Sequence, residues 1–194
     1  MDEVRSERKY NFMSDWHWVT IPDGMTYEQT EKNSNGDIIA TINRIVSELK
    51  SRKLTRAEEV EHIRILIHLV GDIHQPLHVG TGEDKGGNEV KVKWFGKATN
   101  LHGVWDSDMI DETKLSFTEL AESVDHLKKD KVNKLQRSSV LDWANESMQL
   151  RKQVYNVGDK NLGYKYSYEN MDTVRKRILE AGIRLAGLLN EIYG

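Results

Sequence analysis

The stretch that most constrains this chain is "TRAEEVEHIRILIHLVGDIHQPLH", residues 55–78. It reads as one helix with a face to bury, yet it ends in a cluster of groups that resist burial. Val60, Ile63, Ile67 and Val70 recur at helical spacing, and Thr55 with Glu58 makes a capping box at the start. Pro76 disfavours helical geometry at Gln75, so the helix is predicted to stop there. The chain has only seven histidines and two prolines, and residues 68–78 take three and one of them. Either those side chains form a polar patch at the end of a buried helix, or they converge on a metal.

The rest of the chain is organised around similar helices. "DIIATINRIVSELKSRK" (37–53) places Ile38, Ile42, Ile45, Val46 and Leu49 at helical spacing behind Asp37, a suitable N-cap. A Gly-rich loop, "VGTGEDKGGN" (79–88), leads into "EVKVKWF" (89–95), where Val90, Val92 and Trp94 alternate with charges as in a strand. "NLHGVWDSDMI" (100–110) reads as a short helix. Further helices start at Ser116 with Glu119 and at Ser139 with Asp142, and a last one covers 167–193. The expected fold class is all-α: a mainly helical single domain over residues 1–194 with a small β-hairpin excursion.

Composition removes several classes of function. The net charge is −3 and the pI about 6.2, so the chain lacks the basic footprint of a protein that coats duplex phosphates. With no cysteine there can be no disulfide and no thiolate metal site, which leaves imidazole and carboxylate as ligands. No apolar run approaches the roughly eighteen residues of a membrane span. The opening "MDEVRSERKY" is charged and does not read as a signal peptide.

Residues four apart share a helix face, and His68 with Asp72 and His102 with Asp106 are both so spaced. Each pair offers the donor types that suit Zn²⁺ without thiolates, though a surface hydrogen bond explains one such pair equally well. His78, beyond Pro76, can turn back toward Asp72. His74 faces elsewhere on the helix and reads as a hydrogen-bonded core group. His62 and His126 lie among charges, where solvent exposure accounts for them. His17, between Trp16 and Trp18, is open between an aromatic core cluster and a ligand. Asp2 is unremarkable on spacing alone.

Taken in order, "HLVGDIHQPLH", "DKGGNEVKV" and "NLHGVWDSDMI" resemble the zinc-dependent single-strand nucleases of the S1/P1 type, which share their fold with zinc phospholipase C. "DEVRS" followed by "WHWVTIPDG", and the closing "AGIRLAGLLNEIY", match the same family, so the resemblance covers essentially the whole chain. It implies one zinc held by Asp2, His17, His68 and Asp72, and a second held by His78, His102 and Asp106. A third would sit beside the first and share Asp72. By the same resemblance, Asp2 orients or deprotonates the attacking water, and Arg5 neutralises charge building on the phosphate. Trp18 would stack on a base beside the scissile bond, with core packing as the alternative. The implied activity is hydrolysis of single-stranded DNA or RNA to 5′-nucleotides, with a 3′-nucleotidase side activity.

Some positions depart from the family pattern. The third zinc of the family uses an N-terminal Trp and a nearby His, neither of which is here, so the chain reads as shortened at its N-terminus. Thr20 replaces an acidic or amide group found in some relatives, which leaves base preference open. Family members are usually exported, which implies a secreted or periplasmic full-length protein. Two other readings stand beside the nuclease: a zinc phospholipase C-like lipid phosphodiesterase, and a metal-binding domain without turnover.

Overall fold

A computed structural model describes residues 8–124 and 127–194. Local chemistry starts and stops its first two helices. The Asp37 carboxylate accepts from the Ala40 backbone N–H at 2.9 Å and opens α1 (Ile38–Lys50). The Thr55 backbone N–H donates to the Glu58 carboxylate at 2.8 Å, closing the capping box that opens α2 (Arg56–His74). Gln75 is extended, as the residue before Pro76 should be, so α2 ends there and a single tight turn, Pro76–His78, follows.

Two very short strands, β1 (Val19–Thr20) and β2 (Val79–Gly80), pair in parallel. The expected strand is β3 (Lys91–Trp94). It forms an antiparallel hairpin with β4 (Lys97–Asn100), in the register Lys91↔Asn100, and its other edge takes β5 (Asn161–Leu162) in parallel. From Asn100 the chain turns helical over α3 (Leu101–Gly103), a π-helical turn (Val104–Asp108) and α4 (Met109–Glu112). The remaining helices are α5 (Phe117–Val124), α6 (Lys129–Gln136), α7 (Val140–Val154) and α8 (Tyr164–Tyr193). The mainly helical expectation and the hairpin are both present.

Two cores flank the end of α2. Ile38, Ile42 and Ile45 of α1 pack with Leu66, Leu69 and Ile73 of α2 and Trp143 of α7. Leu77, Trp94, Leu101, Trp105, Tyr166 and Val174 form a second cluster beneath the hairpin. Each fully buried side chain of this size contributes roughly 1.5–3 kcal/mol. The polar end of α2 is therefore wedged between two apolar bodies.

Beneath it runs a buried ionic network. Arg184 grips Glu146 through two 2.7 Å bonds and donates to His74 Nε2 at 2.8 Å. Arg177 donates to the His74 carbonyl at 3.0 Å and to Glu180 at 2.7 Å. Ser147 reaches the Ile73 carbonyl at 2.7 Å. This is the hydrogen-bonded core role expected of His74.

Four features differ from the sequence reading. Residues 8–17 form a 3₁₀ helix and 129–136 form α6, both too polar to show an apolar stripe. α8 begins at Tyr164, three residues early. His62 is not simply solvated: its ring donates to Glu48 at 2.7 Å across α1 and α2. Asp2, Arg5 and His126 lie outside the described residues.

Candidate metal centre

The sequence places His68 and Asp72 one helical turn apart on α2, and the fold brings His17 to meet them from the end of its 3₁₀ helix. His17 Nδ1 lies 2.8 Å from Asp72 Oδ2 and 3.0 Å from His68 Nε2, and His68 Nε2 is 3.1 Å from the same carboxylate oxygen. Three donor-type atoms thus face one point. The two imidazoles meet edge to face, with centroids 4.7 Å apart.

A second group forms alongside. His102 Nε2 is 3.0 Å from Asp106 Oδ2, and His78 Nε2 is 3.2 Å from Asp106 Oδ1. The π-helical turn from Val104 to Asp108 carries Asp106, and such turns recur where a helix is locally adapted to a site. Trp105 anchors that turn by donating its indole N–H to Tyr166 Oη at 2.8 Å, and Tyr166 donates in turn to the Val154 carbonyl. The groups adjoin one another: His78 Nδ1 is 3.9 Å from Asp72 Oδ2.

Backbone partners settle which ring nitrogens point inward. His78 Nδ1 donates to the His17 carbonyl at 2.5 Å, and His102 Nδ1 donates to the Gly86 carbonyl at 2.7 Å. Both Nε2 atoms are thereby turned toward Asp106, where each hydrogen-bonds the carboxylate and would offer its lone pair to a cation that replaced the proton; outer hydrogen bonds of this kind fix a metal-binding imidazole. Gly86 must be glycine: its φ is +60°, and a Cβ there would lie 2.3 Å from the Leu77 carbonyl oxygen. The "GG" of the loop therefore serves His102.

Electrostatics keep the carboxylates charged. Burial works against the charge on Asp72, but hydrogen bonds from His17 and His68 and the nearby His78 outweigh it and hold the carboxyl down at about 2. For Asp106, burial is likewise outweighed, by His102 and His78, and the carboxyl falls well below its usual range. Burial disfavours a charged His78, yet Asp106 and Asp72 outweigh that and raise its pKa. In each group two imidazoles surround one ionised carboxylate, with all three donor atoms within 4.8 Å of one another. Zn–N bonds of ~2.0–2.1 Å in a tetrahedron space ligands about 3.3 Å apart, close to the observed contacts. The donor sets fit a divalent cation.

Every candidate ligand among the described residues is thus brought into one of the two groups. Trp18, next to His17, is 42% exposed and belongs to neither core. A cavity of about 270 Å³ lined by Asp72, Gln75, Trp105, Asp106, Ile110 and Ile178 opens beside both carboxylates. Sequence reasoning missed Gln75. Its amide donates to Asp106 Oδ1 at 2.6 Å while its oxygen accepts from the Leu77 N–H at 2.6 Å. Its place inside "HQPLH", between a helix end and a candidate ligand, was the available signal.

A helical frame that gathers two His/His/Asp groups belongs with metal-dependent proteins, and its family narrows the class to nucleases. The S1/P1 nuclease family model matches residues 1–194, and the chain belongs to that family. It is similar to Endonuclease 4 of Arabidopsis thaliana, at 32% identity over 99% of this chain and 74% of that protein. It is similar to Nuclease P1 of Penicillium citrinum at 26% identity over 100% and 82% of the two chains. Nuclease S1 of Aspergillus oryzae is 31% identical over 52% of this chain and 36% of that protein.

Proposed function

We propose that this protein hydrolyses phosphodiester bonds in single-stranded DNA and RNA to 5′-nucleotides, with 3′-nucleotidase activity on the same centre. The observation that carries this reading is two adjoining His/His/Asp groups beside an exposed tryptophan. His17, His68 and Asp72 would hold one Zn²⁺, joined by Asp2; His78, His102 and Asp106 would hold another. Zinc bound in these sites would supply Lewis-acid activation of water and charge relief on a phosphate. Asp72 and Asp106, ionised at neutral pH, keep the donor sets ready for a cation. Gln75 orients Asp106, and Gly86 and the His17 carbonyl orient the imidazoles. Asp2 would accept a proton from the attacking water, and Arg5 would meet the negative charge on the phosphate.

Trp18 supplies a stacking surface of the kind that binds any base, typically worth about 1–3 kcal/mol. Such a surface needs an unstacked base, which favours single strands over duplex. Residues 1–194 would act as one nuclease domain, exported from the cell as a secreted or periplasmic enzyme. No helix among the described residues is long and apolar enough to cross a membrane.

The test compares initial rates on a single-stranded oligonucleotide, its duplex and phosphatidylcholine vesicles with zinc-loaded protein. Cleavage of the single strand to 5′-phosphorylated products, far faster than the duplex, is expected. Preferential release of phosphocholine would establish the lipid phosphodiesterase instead. Zinc-loaded protein that cleaves none of the three would establish a binding domain without turnover.

A further inference from the structure

β1 and β2 are each two residues long, too short to be stable alone, yet they sit where the site needs order. His17 lies two residues before β1, and His78 lies immediately before β2. The register Val19↔Val79 and Thr20↔Gly80 therefore sets how the two groups face each other. The bond from His78 Nδ1 to the His17 carbonyl closes the near end of this pair. The far end is held from α7.

Arg151 enters there with its side chain only 6% exposed. Its Nε donates to the Val79 carbonyl at 2.8 Å, and its Nη2 to the same oxygen at 2.5 Å and to Gly80 at 2.9 Å. Its Nη1 donates to the Ile21 carbonyl at 2.8 Å and to Asp23 at 3.0 Å. These bonds occupy all five guanidinium donors. Asp23, by contrast, is 83% exposed. Burying a guanidinium costs more than burying an apolar side chain of similar volume, so packing alone does not explain it. What the planar fork supplies is a bridge from the β2 carbonyls to the Ile21 carbonyl, one residue past β1.

We propose that Arg151 is a positioning residue: by tying β2 to the residue that follows β1 it fixes His17, the member of the first group carried outside α2, relative to His78 of the second. This rests on the two-site metal reading above. A lysine keeps the charge but concentrates its donors at one point and cannot span the strands. Methionine fills the volume without any donor.

Co²⁺ serves as the probe, because its visible absorption reports coordination geometry independently of turnover. Wild type, Arg151→Lys and Arg151→Met are loaded and assayed for metal content, spectrum and single-strand cleavage. Both variants should bind two Co²⁺ with altered visible bands, and kcat should fall about 10–100-fold, as for other residues that orient ligands, with KM little changed. Folded variants with the wild-type spectrum and wild-type kcat would overturn the proposal. Should neither Arg151 variant fold, Arg151→Gln, whose amide can reach one of these carbonyls but cannot span them, carries the test: a shifted spectrum supports it and an unchanged one overturns it. Wild type that takes up no Co²⁺ overturns the metal reading and this inference with it. Wild type holding two Co²⁺, with variants indistinguishable from it, overturns this inference alone.

Discussion

Asp72 and His74 are two residues apart on one helix, and they meet opposite environments. His74 is saturated: its Nδ1 donates to the Val70 carbonyl, and its Nε2 accepts from Arg184. Burial, together with the charges of Arg177 and Arg184, pushes its pKa well below the usual value, so it stays a neutral hydrogen-bonding strut. Asp72 faces two imidazole nitrogens that could equally serve a cation. One face of α2 is closed by partners of matched polarity, and the other gathers lone pairs. A polar cluster is structural where donors and acceptors balance, and it becomes a metal site where acceptors accumulate.

The largest expected effect lies on the closed face. Arg184→Met takes the donor from His74 Nε2 and leaves Glu146 with only its 2.6 Å bond to Arg177, and should lower unfolding stability by about 3 kcal/mol in urea titrations. Metal content of the folded fraction should not change. If zinc uptake vanished as well, the two faces would not be separable.

Asp106→Asn should act the other way round. Removing a candidate ligand should empty the second site, while metal-free stability changes by less than about 1 kcal/mol because this carboxylate is partly exposed and screened. Wild type should gain about 4 kcal/mol of stability at zinc concentrations a thousandfold above Kd, and the variant should gain less. Calorimetry with and without zinc separates the terms. Gln75→Ala should weaken second-site zinc affinity about tenfold, measured by chelator competition, and leave the first site intact.

The smallest effect concerns acid stability. Burial works against the charge of Glu146, but Arg184 and Arg177 outweigh it and lower its pKa. Its contribution is therefore complete above the ordinary carboxylate range, near pH 4.3, and is lost as pH falls through the folded value. Glu146→Gln should cost on the order of 1 kcal/mol at pH 7, after allowing for its exposure, and flatten the acid limb of the stability profile. An unchanged acid limb would mean that the closed face draws little from this ion pair.

Local chemistry was legible in the sequence. Asp37, Thr55 with Glu58, and Pro76 fix helix ends through neighbours at most three residues away, and both HxxxD pairs rest on one helical turn. What depends on distant chain segments was not legible. Spacing alone leaves His17 undecided, because its partners lie more than fifty residues away; only the family resemblance implied a ligand's place for it. The Gly86 carbonyl behind His102, the parallel β1–β2 pair and the arginines of α7 and α8 carry no local periodicity. α6 was missed because its charges conceal any apolar face, and His62 because its partner is on another helix.

The two His/His/Asp groups are tested at once by zinc per chain, measured by elemental mass spectrometry after dialysis against a weak chelator, for wild type beside His102→Ala. Wild type should hold two protein-bound zincs, one for each group, and the variant should lose one. No zinc in wild type, or the same content in both proteins, would contradict the two-site reading.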